Sequence, residues 1–108
     1  MDPARLDYER SLALHEAVAL RLRAEPAILD RERALLEEWI ARGGRSTPLL
    51  LRWRDVLSRS PAEVAEVLTD PSEDAAWLRS ASPFAGALDP RTRLAILRQV
   101  RQRYAGGG

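Results

Sequence analysis

Seven prolines punctuate this 108-residue chain, and each follows a residue able to open a helix. The pairs are Asp2-Pro3, Glu25-Pro26, Thr47-Pro48, Ser60-Pro61, Asp70-Pro71, Ser82-Pro83 and Asp89-Pro90. Proline lacks an N–H and has a preset φ, so the first position of a helix is where it costs least. An Asp, Ser or Thr just before it accepts a hydrogen bond from a first-turn N–H that has no partner inside the helix. Six of the seven predecessors are of these types. Ser60 with Glu63, and Asp70 with Glu73, add the spacing of a capping box or its Asp analogue. No stretch alternates with period two between hairpin turns, so no sheet is expected.

Apolar spacing agrees with this punctuation. In the first segment Leu6, Ala13, Ala17, Leu20 and Ala24 share a face, with Leu14, Val18 and Leu22 on a second ridge. A second helix is expected over 26–42, burying Ile28, Leu29, Leu35, Leu36, Trp39 and Ile40, and ending at Gly43-Gly44. Shorter helices follow at about 48–58, 61–69 and 71–80, and a last one at 90–104 lines up Leu94, Leu97, Val100 and Tyr104. The link between the first two segments is short enough for an antiparallel hairpin. The expected architecture is a compact all-α bundle of five to six helices. A long N-terminal helical hairpin has shorter helices packed across it. Residues 1–104 form one domain, and 105–108 a flexible Gly-rich tail.

The residue inventory narrows the chemistry. With no cysteine, disulfides and thiolate sites drop out. His15 is the only histidine, which rules out a two-histidine metal site. It reads as a polar residue flanking the core face of the first helix. Glu37/Glu38 and Glu73/Asp74 are neighbours in sequence and diverge by about 100° on a helix, so they do not share a proton readily. No glycine-rich phosphate loop follows a strand. No enzyme, metal or cofactor is expected. No apolar run reaches the roughly 20 residues of a membrane span, and Met1-Asp2-Pro3-Ala4-Arg5 lacks the order of a signal peptide, so a cytoplasmic protein with no membrane contact is expected.

Charge is unevenly placed although the net is only +1. All seventeen basic residues are arginine, whose fork suits carboxylate and phosphate partners. Residues 61–82 hold five acids against Arg79, and residues 83–108 hold five arginines against Asp89. These blocks either pair within the fold or face a partner. The expected partner is a protein. Its candidate contact residues are Trp53 with the flanking Arg52 and Arg54, Phe84 and Gly86, and Arg91, Arg98 and Arg101 of the last helix. Trp39, Trp53 and Trp77 read as parts of a shared core, and Trp53 is the candidate if one of them is left open as an anchor; Phe84 reads either as a core plug or as part of a loop offered to a partner, with Gly86 freeing the backbone. DNA is a secondary reading: 48–69 has helix-turn-helix spacing, but Glu63 and Glu66 make a poor recognition helix. The first helix is also able to pair in a homodimer.

The segment Ser82-Pro83-Phe84-Ala85-Gly86-Ala87-Leu88-Asp89-Pro90-Arg91 resembles a block found in a poorly characterised family of small helical bacterial proteins. Tyr8–Ala19, and Asp70-Pro71-Ser72-Glu73 ahead of Leu78-Arg79, are similar to the same family. The resemblance touches most of the chain. It implies an antitoxin that neutralises a toxin by direct contact. Leu94 stands where that family's pattern has Trp, which removes an aromatic from the last helix.

Overall fold

In a computed structural model, residues 3–106 are described. They form α1 (Pro3–Ala24), α2 (Ile28–Arg42), α3 (Thr47–Leu57), α4 (Pro61–Thr69), α5 (Glu73–Arg79), a 3-10 turn (Pro83–Gly86) and α6 (Pro90–Gly106). The described residues contain no strand, and the chain is an all-α bundle. The proline signals act as the physics of helix starts requires. Ser60 Oγ accepts from the Glu63 N–H, and Asp89 Oδ1 accepts from the Thr92 N–H at 2.9 Å. Ser82 Oγ accepts from the Phe84 N–H to open the 3-10 turn.

Two starts differ. Asp70 caps no helix but accepts from the Ser72 N–H at 2.8 Å, and Ser72 in turn caps α5 by accepting from the Ala75 N–H. The reason is that Pro71 lies before the helix, so the cap shifts by two residues. Glu25-Pro26 is followed by turn-type bonds from Ile28 N–H to Glu25 O and from Leu29 N–H to Pro26 O. Asp2 lies outside the described residues, as do Met1, Gly107 and Gly108. Of the tail expected over 105–108, Ala105 and Gly106 end α6, and the rest lies outside the described residues.

The expected hairpin of the first two helices is not formed. α1 packs chiefly against α4 and α6, and α2 against α3. At the joint Ala27 is in the right-handed helical region and turn bonds run from Ile28 N–H to Glu25 O and from Leu29 N–H to Pro26 O, while the face of α1 that would meet α2 is taken up by α4 and α6. Gly43 and Gly44, at φ 74° and 121°, supply the real reversal, after which α3 returns along α2.

The core is built where these helices cross. The buried stripe of α1 is His15, Val18, Ala19 and Leu22, at i, i+3, i+4 and i+7. Leu20, expected inward, points to the other side and is exposed. On α2 the inward row of Ile28, Leu29 and Leu36 includes Glu32, whose Oε2 has no hydrogen-bond partner within the protein. Burial raises the Glu32 pKa, countered in part by the Arg31 charge. At the centre lies Trp53, fully enclosed. Its indole N–H donates to Leu78 O at 2.7 Å, and its ring meets Phe84 edge-on at 5.9 Å between centroids.

The indole thus ties α3 to the end of α5 and to the 3-10 turn. Trp53→Phe retains most of the ring but leaves the Leu78 carbonyl with the Ala81 N–H alone, at 3.3 Å, a loss of about 1 kcal/mol. Trp53→Ala adds a cavity and loses roughly 3–5 kcal/mol. Urea denaturation of the two variants checks this order.

Candidate functional site

A groove of about 820 Å³ is framed by α1, α6 and the segment from the end of α5 through the 3-10 turn. It exists because α6 is incompletely covered. Of the apolar row expected to face inward on that helix, only Val100 is buried. Leu97 is half-buried, and Leu94 stands 49% exposed. The floor is aliphatic and aromatic, from Leu14 and Val18 of α1, Phe84 and Leu88, and Leu97. Trp39 of α2 reaches the same groove.

Its edge is basic. Among the described residues Arg10, Arg79, Arg93, Arg98 and Arg101 line it with one carboxylate, Asp7, which pairs with Arg10 at 3.6 Å. On α6 the order Arg91, Leu94, Arg98, Arg101 is i, i+3, i+7, i+10, one continuous stripe of the helix. All four side chains are exposed. The acidic block at 61–82 supplies none of the ion pairs found among the described residues, all of which are formed by other acids. Arg98 and Arg101 make no ion pair among the described residues.

Beneath the groove sits a closed polar cluster. His15 Nδ1 lies 2.7 Å from Ser11 O, so it carries the proton and donates to that carbonyl. Nε2 is then the acceptor, and the Ser82 hydroxyl donates to it at 2.8 Å while accepting from the Phe84 N–H at 3.1 Å. A serine hydroxyl on an imidazole is also the pattern of an activated nucleophile. Here the imidazole is a weak base. Burial, opposed by the Ser11 bond and reinforced by the Arg79 charge, lowers its pKa to about 4. A base for neutral-pH catalysis needs a pKa near the working pH. The cluster therefore reads as a strut that fixes the loop before the 3-10 turn.

Arg79, expected only as a lone cation in the acidic block, is 4% exposed. Nη1 donates to Asp70 O at 2.6 Å and to Leu68 O at 3.4 Å, carbonyls beyond the reach of the α4 helix bonds. The guanidinium stacks over Tyr8, whose hydroxyl donates to Pro71 O at 2.8 Å. Burial pulls the Arg79 pKa down, with Tyr8, Asp70 and Glu16 acting against it.

The structure separates the contact residues expected from sequence. Trp53 is not a surface anchor: the ring fills the core, because its N–H finds a carbonyl there. Phe84 is the core plug and not a presented side chain, at 1% exposed. Its face forms part of the groove floor. Arg54 is held by Glu37 in a two-pronged pair at 2.8 Å that joins α3 to α2, and the pair lowers the Glu37 pKa. Arg52 stacks on Trp77 at 5.2 Å, and Trp77 is the exposed tryptophan. Gly86 has no positive φ and an added Cβ would meet nothing within 4 Å, so no backbone constraint requires glycine there. Arg98 and Arg101 lie on the groove, and Arg91 continues their stripe. The residues missed are Arg10 and Leu94, which no motif marks.

The α3–α4 pair is placed poorly for base reading. Val64, Ala65 and Leu68 bury α4, mainly against α1, leaving Ala62, Glu63 and Glu66 outward. Among the described residues no cluster of three or more His, Asp or Glu side chains is assembled, and no helix is long and apolar enough to cross a membrane. Comparison with family models, curated proteins and solved structures returns no match.

The His15 cluster has a pH signature. Its folded pKa of about 4 lies below the ordinary value of 6.5, so unfolding takes up a proton between those limits. The stabilisation is complete above about pH 6.5 and falls on acidification to about pH 4, by roughly 3 kcal/mol in all. Glu32, with a raised pKa, contributes in the opposite sense: its share is present at low pH and is lost as pH rises through its folded pKa. Comparing denaturation midpoints of wild type and His15→Gln across that window isolates the histidine. The variant loses the His15 part of the acid dependence.

Proposed function

We propose that this chain is a protein-binding module that docks a partner protein along the groove between α1 and α6. The observation that carries the reading is Leu94, an apolar side chain left open beside a concave apolar floor and flanked by Arg98 and Arg101. An open aliphatic surface with a charged rim is the arrangement of a docking site, where the centre supplies affinity and the rim supplies orientation and rate. The partner is a toxin and the chain its antitoxin, a reading supported by the resemblance of the Ser82–Arg91 segment. The weak base at His15 favours a binding role over a catalytic one. A DNA-binding role is the alternative, favoured by the exposed arginines of α6 and opposed by the outward Glu63 and Glu66 of α4.

Co-expression with the product of the adjacent gene tests the proposal. A stable complex that restores growth is expected. Leu94→Asp should weaken that complex by at least about tenfold while changing stability by no more than about 0.5 kcal/mol, since the side chain is open in the free chain. No complex and no rescue would refute it.

A further inference from the structure

The chemistry of the groove specifies more than the presence of a partner. We infer that its occupant is an acidic amphipathic helix of the partner protein, with a row of aliphatic side chains flanked on both sides by carboxylates. This rests on the docking reading above and names the segment that docks.

Three observations point to that occupant. First, the two walls that face each other are themselves helices. Leu14 and Val18 on α1, and Leu94 and Leu97 on α6, sit at i, i+4 and i, i+3 spacings. Such ridges accept the side-chain rows of a third helix. Second, basic groups stand on both edges, Arg10 on α1 and Arg98 with Arg101 on α6, while Asp7, paired to Arg10, is the one carboxylate among the described residues that line the groove. Third, the α6 stripe from Arg91 to Arg101 covers ten residues of rise, about 15 Å, which is the length of about three helical turns of a partner.

Nucleic acid is matched less well. A duplex offers phosphates to the arginines but nothing to the aliphatic floor, and the tryptophan open to solvent, Trp77, stacks with Arg52 and does not line the groove. A second copy of this chain is also matched less well. Of its own acidic block, Glu63 is bonded to Ser60 and Asp70 to the Ser72 N–H, and its apolar residues Val64 and Leu68 are turned inward. That surface has no free aliphatic row to offer.

The test uses a synthetic helical peptide of about 14 residues with leucines at every third or fourth position and glutamates on both flanks, and a counterpart with each glutamate replaced by lysine. Binding to the full chain is followed by anisotropy of a label on the peptide, with Trp39 emission as a groove-side reporter. The glutamate peptide should bind at least about tenfold tighter than the lysine peptide, and raising salt from about 50 mM to about 500 mM should weaken it several-fold. The double variant Arg98→Glu/Arg101→Glu should invert the preference. These arginines are exposed, so the variant is expected to fold, which circular dichroism verifies. Equal affinity for the two peptides, or no binding of the glutamate peptide, would overturn the inference. So would self-association of the free chain in sedimentation that Leu94→Asp abolishes, which would put a second copy in the groove. Duplex DNA binding lost in the double variant would likewise overturn it, because the arginines would then be phosphate contacts. If the co-expressed complex forms but is indifferent to the charge reversal, the docking reading stands and only the acidic helix is lost.

Discussion

Everything on the groove side of the molecule depends on one enclosed indole. Trp53 donates to the carbonyl at the end of α5 and holds Phe84 edge-on, so α3, α5 and the 3-10 turn share a fixed point. Fixing Phe84 fixes Ser82, two residues earlier, and Ser82 closes the hydrogen-bond cycle with His15 on α1. The contacts run without a break from the centre of the core to the groove floor. A preformed floor loses little conformational entropy when a ligand seats on it. The same chain of contacts explains why a buried histidine is tolerated: each ring nitrogen has a partner, and neutrality avoids the cost of a buried charge.

The walls are less secure than the floor. α6 meets the rest of the molecule mainly through α1, with Val100 its one fully buried apolar side chain. Its remaining apolar residues are half-buried or open, and its arginines face out. A helix this sparsely anchored gains stability when another surface covers it, and binding and folding of that element are then linked. Arg79 and Tyr8 tie the same end of α1 that lines the groove to the turn after α4. The groove therefore joins a floor held by the core to one weakly covered helix.

Helix identity was legible in the sequence because it is local. Ser60-Pro61 and Asp89-Pro90 carry their own hydrogen-bond partners within three residues, and Gly43-Gly44 needs only the backbone freedom of glycine. Helix pairing was not legible. Whether Glu25-Pro26-Ala27 reverses the chain or merely bends it depends on what α1 finds elsewhere, and it finds α4. Apolar character also misled for single residues. Trp53 and Trp77 both sit near arginines in sequence, yet one is core and the other surface, since only Trp53 has a carbonyl within reach of its N–H. Arg98 and Arg101 were visible as a basic stripe. Arg10, near the other end of the chain, joins them only after folding.

The central claim is that the α1–α6 groove, and no other face, receives the partner protein. Hydrogen–deuterium exchange of the chain alone and in the co-expressed complex tests it most directly. The account predicts new protection confined to 7–18 on α1 and 93–101 on α6. Protection concentrated on α3 and α4, or around Trp77, with the groove unchanged, would contradict it.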